Sequence, residues 1–325
     1  MIRLPNWLGD VVMSTAFINA VRQLYPDSLI DVIIKKELGS IAALIPGLNN
    51  IYLFSKEEHK GLGGVFRFGR SLRKGQYNIF LNLPHSLSSF VMARASGAKQ
   101  RVGFSKEGGM FLLTRPVTKP ANLHRVDGYI YLLEKFAGKA VTERQVKLSA
   151  DRAAHINDTV VINFNSEASS RRMPLEKGRS IINTLTNTFK NITFVIVGSP
   201  KETAFTDELL IGLDNPDRLQ NLAGKTNLKG LAETMAASKA VLTTDSGPAH
   251  LANALGTPTV VLFGAGDETN TAPYNTNNLQ VIRYGKLECE PCVRNTCKLY
   301  GVPKCMEMLD EIKIIKALDL HLNHA

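Results

Sequence analysis

Within TTDSGPAHLANALGTPTVVLFG, Thr243 to Gly264, the residues Asp245, Ser246 and Gly247 stand where an apolar strand turns into a short helix. A helix N-terminus presents unpaired backbone N–H groups and the positive end of a dipole, so it is a seat for an anion. Ser246 or Asp245 can cap this helix, Gly247 lets a ligand approach the backbone, and Pro248 suits the first turn. His250 comes one turn after Ser246, so both can face one ligand. Gly256 then ends the helix before Thr257-Pro258 turns into the next strand. The stretch is either a phosphate cradle, without the GxGxxG or GxxxxGKS/T fingerprints, or an ordinary capped helix.

Three further sets of residues have types suited to chemistry. Asp10 lies in a Gly-Asp turn after the apolar start Met1–Leu4, where it serves either as a helix cap or as a carboxylate aimed at a ligand. That first strand is so short that the start reads as a few residues late. Arg67, Arg70, Arg73 and Lys74 crowd one predicted helix. Cys289, Cys292, Cys297 and Cys305, all the cysteines of the chain, spell Cys-x2-Cys-x4-Cys-x7-Cys within 17 residues. Four thiols so confined either hold a tetrahedral zinc or an iron–sulfur cluster, or remain reduced loop thiols.

The elements that must position these residues alternate. Apolar runs at Leu29–Ile34, Ile51–Phe54, Tyr77–Leu83 and Arg101–Phe104 read as strands. Helical spacing falls at Asp10–Leu24, Leu38–Leu44, Val65–Arg73 and Ser86–Ala95. The scheme repeats with strands at Val160–Phe164, Ile192–Val197, Ala240–Thr244 and Thr259–Phe263, and helices at Leu175–Phe189, Lys201–Gly212 and Leu228–Ala237. Such alternation predicts parallel sheets covered on both faces, an α/β class. A chain of 325 residues suits two domains. We expect them at 1–152 and 153–305, with a helical tail, 306–325, that packs back against the first.

Charge divides along the same line. Residues 1–150 carry 21 Lys and Arg against 10 Asp and Glu, a balance of +11, whereas the remainder carries 18 against 19, a balance of −1. The first half therefore suits an acidic partner: nucleic acid, anionic lipid or a phosphorylated substrate. No apolar run approaches the roughly 20 residues of a membrane helix, and no signal-peptide core opens the chain. These features predict a cytoplasmic protein, in which clustered cysteines do not form a disulfide framework.

The Thr243–Gly264 stretch resembles the signature of glycosyltransferase family 9, the heptosyltransferases of lipopolysaccharide core assembly. Leu4-Pro5-Asn6-Trp7-Leu8-Gly9-Asp10 with Val11-Val12-Met13 is similar to the family's N-terminal motif, in the form of its heptosyltransferase II branch. Leu83-Pro84-His85-Ser86 and Asn221-Leu222-Ala223-Gly224-Lys225-Thr226 match that branch too. The resemblance implies the GT-B fold, two Rossmann-like domains facing a central cleft, acceptor side first and nucleotide-sugar side second. It implies Asp10 as general base and Asp245, Ser246, Gly247 and His250 as the donor diphosphate motif. It also implies Glu202 as the carboxylate on the nucleoside ribose. Ser170-Arg171-Arg172-Met173-Pro174 aligns with the family's Lys-x-Trp-Pro segment, so Arg171 stands where a lysine meets the donor phosphate. Met173 replaces the tryptophan, which questions the shape of that pocket and leaves room for another donor.

The implied reaction is an inverting, metal-independent transfer of heptose from ADP-heptose to an inner-core hydroxyl. The acceptor would be a phosphorylated glycolipid at the cytoplasmic face of the inner membrane, and not a nucleic acid. Arg67, Arg70, Arg73 and Lys74 would approach it. A sugar-nucleotide epimerase needs no basic acceptor domain, and a dehydrogenase would show a Gly-rich dinucleotide loop. A transferase of the family with another donor or acceptor, or a catalytically silent nucleotide-binding assembly protein, is the alternative reading.

Overall fold

A computed structural model of the chain describes residues 1–105, 109–150 and 157–322. It divides into two compact units, Met1–Lys147 and Leu148–Ala325, and the expected boundary at 152/153 itself lies outside the described residues.

In the first unit six parallel strands form one sheet: β1 (Ile2–Arg3), β2 (Val32–Lys35), β3 (Ile51–Phe54), β4 (Ile79–Asn82), β5 (Gln100–Phe104) and β6 (Arg115–Val117). Their spatial order is β3-β2-β1-β4-β5-β6. Val32, Ile33, Phe80 and Val102 have no exposed surface. That is the apolar continuity of strands covered on both faces. The covering helices are α1 (Leu8–Met13), α2 (Thr15–Leu24), α3 (Gly61–Ser71), α4 (Leu87–Ala95) and α5 (Arg125–Ala137).

Two expectations need correction here. The helix read over Asp10–Leu24 is two helices, because Ser14 closes the first and its hydroxyl bonds back to the Val11 carbonyl at 2.7 Å. The Leu38–Leu44 segment is part of a 3₁₀ stretch, Lys36–Leu44. Helix α5 was not expected from the sequence, although its signals are present. His124 caps it by accepting from the Val126 N–H, Val126, Tyr129, Ile130 and Leu133 form its buried stripe, and Gly138 ends it at φ +66°.

The second unit repeats the architecture. Its strands are β7 (Asn157–Asn163), β8 (Thr193–Ile196), β9 (Leu219–Asn221), β10 (Ser238–Thr244), β11 (Thr259–Phe263) and β12 (Leu279–Arg283), in the order β12-β11-β10-β7-β8-β9. Helices α6 (Leu175–Thr188), α7 (Thr203–Leu209), α8 (Leu228–Ala236), α9 (Gly247–Ala254), α10 (Glu268–Thr271), α11 (Lys304–Glu307) and α12 (Glu311–Leu322) complete it. Each sheet thus reverses direction beside its own first strand, between β1 and β4 and between β7 and β10. In doubly wound sheets ligands gather at the carboxyl ends of the strands at that reversal.

The tail does not form a separate element awaiting the first unit. Ile314, Ala317, Leu318 and Leu322 of α12 are buried in one core with Leu242, Val260, Leu262 and Ile282 of the second sheet. The apolar stripe had foretold burial, but not its partner. Among the described residues no helix is long and apolar enough to cross a membrane.

Candidate active site

Asp10 follows β1 at the reversal point of the first sheet. The turn that delivers it is held by Arg3, a buried arginine whose guanidinium donates to the Ile33 carbonyl at 3.2 Å and to Asn6 Oδ1 at 2.7 Å. Arg3 also lies over the Phe54 ring, 5.6 Å from its centre, and burial pulls its pKa down to about 10. Asp10 is the third residue of α1 and does not act as its cap, because Trp7 occupies the cap position. Its carboxylate instead meets Arg125, the first residue of α5, whose Nη1 lies 3.1 and 3.2 Å from the two oxygens. Burial raises the Asp10 pKa, while Arg125 and then Lys119 pull it back. Tyr129, one turn beyond Arg125, is buried beside the pair and takes a hydrogen bond from the guanidinium. Sequence reading missed Arg125, Lys119 and Tyr129. The His124 cap signal could have revealed α5, but its meeting with Asp10 is a product of topology.

The other family motif of the first unit caps a helix. Ser86 accepts from the Ser89 N–H at the start of α4, and the His85 ring stands 5.1 Å from that of Phe104. Of the four basic residues expected on the acceptor, Arg67 and Arg70 lie exposed on α3. Arg73 and Lys74 belong to the next 3₁₀ turn, where Arg73 Nε donates to the Ala95 carbonyl at 2.9 Å. Arg73 therefore anchors α4 as well as carrying charge. A cavity of about 550 Å³ in this unit is lined by Met1, Asp31, Tyr52 and Tyr77 at the amino ends of the strands, and none of the expected site residues borders it.

In the second unit Asp245 and Ser246 follow β10 and Arg171 follows β7, which flanks it at the reversal point. Asn163, the last residue of β7, ties the strand ends together by donating to Thr243 Oγ1 at 3.1 Å and Ser246 Oγ at 3.0 Å. Thr244 Oγ1 adds a 2.6 Å bond to the Asn165 carbonyl. Ser246 occupies the cap position of α9, but its hydroxyl donates to the Thr244 carbonyl and makes no capping bond. In the first turn of α9 Pro248 has no N–H and the Ala249 N–H donates back to the Ser246 carbonyl, so the Gly247 N–H is the donor left to an external acceptor. His250 is buried one turn along.

Arg171 Nη1 stands 3.3 Å from Asp245 Oδ2, with the carboxylate side chain only 4% exposed and the arginine 25%. Burial raises the Asp245 pKa, and Arg171 and Arg283 oppose it. Gly266 leaves room for this carboxylate: a Cβ there would stand 2.0 Å from Asp245 Oδ2. Arg283 fixes the same turn, donating to the Gly264 carbonyl at 2.6 Å and to Glu268 at 3.0 Å.

Three sequence-derived positions have other duties. Glu202 completes a capping box, accepting from the Ser199 N–H at 2.7 Å. Arg172 donates to the Ser166 carbonyl and covers the Phe205 ring. Met173 is buried among Phe164, Ile181 and Leu209, so its replacement of an aromatic is felt in the core. The four cysteines line one small cavity of about 20 Å³, and burial pushes the Cys305 thiol up to about 11. Among the described residues, however, no three His, Cys, Asp or Glu side chains form a group able to hold a metal ion. The cysteine segment touches the donor side through its main chain. Ser170 N and Ser169 Oγ donate to the Asn295 carbonyl, Ser170 Oγ to that of Arg294, and Val293 N to that of Ala265.

The sequence profile described as Glycosyltransferase family 9 (heptosyltransferase) matches residues 65–302. The chain belongs to that family. It is a glycosyltransferase with the GT-B fold. Among its relatives are lipopolysaccharide heptosyltransferase 2 of Escherichia coli, 28% identical over 86% of each chain, and the lipopolysaccharide core heptosyltransferase OpsX of Haemophilus influenzae, 26% identical over 82% of this chain and 79% of its own. The solved structure of E. coli ADP-heptose lps heptosyltransferase II superposes with a TM-score of 0.82 at 24% identity, covering 99% and 98% of the two chains. That of a family 9 glycosyltransferase from Veillonella parvula gives 0.83 at 20% identity, covering 100% and 97%.

Proposed function

We propose that this glycosyltransferase moves a heptose from ADP-heptose to a hydroxyl of the lipopolysaccharide inner core, with inversion at the anomeric carbon. The observation that carries the reading is Asp10: a half-buried carboxylate at a strand-end reversal, fixed by an arginine and made more basic by burial. As general base it takes the proton of the acceptor hydroxyl while that oxygen attacks the anomeric carbon. The anomeric bond to the diphosphate breaks, and its electrons leave on the ADP. On the donor side the Gly247 N–H at the start of α9 and the Arg171 guanidinium meet the charge that grows on the departing diphosphate. His250 sits one turn further along the same helix, within the donor wall. The capping role of Glu202 does not prevent its second oxygen from meeting the ribose.

The basic balance of the first unit supports an acidic acceptor, and exposed Arg67 and Arg70 give it a surface for a phosphorylated glycolipid at the cytoplasmic face of the inner membrane. The reading is tested by incubating the enzyme with ADP-heptose and a heptose-deficient core acceptor. ADP release together with a product heavier by one heptose supports it. No transfer to that acceptor, with a nucleotide other than ADP raising the melting temperature most, would overturn it.

A further inference from the structure

We propose that Arg125 is a positioning residue for Asp10 which also, together with Lys119, receives an anionic group of the acceptor beside the attacking hydroxyl. This rests on Asp10 being the base. The first observation is geometric. One nitrogen of Arg125 contacts both Asp10 oxygens, at 3.1 and 3.2 Å, which holds the carboxylate facing the guanidinium. The Asp10 side chain is 16% exposed and that of Arg125 34%, so the arginine is the more accessible member of the pair.

The second observation is charge. Two cations, Arg125 and Lys119, act on the ionisation of Asp10, and Asp10 is their one carboxylate in this exchange. Tyr129 adds a phenol that burial and the neighbouring Asp10 hold protonated. The cluster thus carries one positive charge in excess, with Asp10 and Tyr129 shifted by burial and Lys119 exposed at its edge. A guanidinium with unused N–H groups matches the paired oxygens of a sugar carboxylate or a phosphate. An anionic acceptor bound there would bring its neighbouring hydroxyl to the base, and Arg125 would couple recognition to proton transfer.

The test uses the full-length enzyme with three acceptors: intact, with the sugar carboxylate reduced to the alcohol, and dephosphorylated. Wild type should prefer the intact acceptor over one of the two by about 10- to 100-fold in kcat/KM, the worth of one charge-assisted contact, and which one identifies the anion. Arg125→Gln should shrink that preference to a few-fold. It should also move the acid limb of the kcat profile to higher pH, since Asp10 loses the cation that helps keep it ionised. Arg125→Lys should restore the limb and not the preference, which covers the case in which the Gln variant folds poorly. Lys139→Gln, an exposed charge elsewhere in the unit, should alter neither. The proposal falls if Arg125→Gln keeps both the preference and the limb, or if Lys139→Gln loses as much preference. Failure of the underlying reading looks different: Asp10→Asn would retain turnover.

Discussion

Two aspartates stand at the strand-order reversals of the two units, one after the first strand of its sheet and one after the fourth, and they are held differently. Asp10 follows β1 and Asp245 follows β10, each at the reversal of its sheet, the first half-buried and the second buried, and each raised by burial against the pull of an arginine. Asp10 is gripped through both oxygens by an arginine from a helix far along the chain. Asp245 has Arg171 alongside at 3.3 Å, and its Oδ2 makes no hydrogen bond among the described residues. A carboxylate oriented through both oxygens is prepared to act on a bond. A carboxylate set beside an arginine at an uncapped helix end is prepared to keep a cation where an anion will arrive. The fold supplies a strand-order reversal twice, Asp10 and Asp245 take opposite sides of it, and the local hydrogen bonding decides what each carboxylate does.

The contrast can be broken most sharply at Asp10. Asn retains the size of Asp but cannot take a proton, so Asp10→Asn should bind ADP as wild type does and lose about 10²–10⁴ of turnover. Turnover close to wild type, measured beside ADP affinity and melting temperature, would return Asp10 to a structural part. The counterpart substitution, Arg171→Ala, should act on binding. We expect ADP affinity to fall by about 1.5–3 kcal/mol with the acceptor Michaelis constant unmoved, and calorimetry with ADP checks it.

A third variant tests whether the Asp245 carboxylate needs its present position. Gly266→Ala inserts a methyl group into the space of Oδ2, which should cost about 1–3 kcal/mol of stability and weaken ADP binding in parallel. Loss of stability with ADP affinity intact would separate Asp245 from the donor. The smallest expected effect lies on the surface of α3. Reversing Arg67 and Arg70 to Glu should raise the acceptor Michaelis constant a few-fold, and salt should narrow the difference, as it does for exposed charges. A change confined to donor kinetics would reverse the assignment of the two units.

Much of this arrangement is legible in the sequence, because it is local. The apolar runs mark the inner strands, and Asp245-Ser246-Gly247-Pro248 marks a strand-to-helix turn by residue type alone. The edge strands β6, β9 and β12 escape notice because they are short and half exposed, without a continuous apolar run. Arg125 escapes for a different reason. Its partner is 115 residues away, and only the closing of the sheet around β1 brings the two together. Glu202 was readable both ways: Ser199-x-x-Glu202 is a capping-box spacing, and the structure realises it. The tail shows the limit of periodicity, since spacing reveals that Ile314 and Leu318 are buried but not beneath which sheet.

The cysteine segment leans on the donor-side turns at Ser169–Ser170 and at Ala265, and on the segment's side every one of those bonds uses a main-chain atom. A prop of this kind is specified by the path of the chain and not by what the chain carries. Over evolutionary time the side chains at 293–295 are then free to drift as long as the route is kept. An insertion or deletion of one residue between Cys292 and Cys297 is the change that lineages should reject, because it would move the ground on which Arg171 stands.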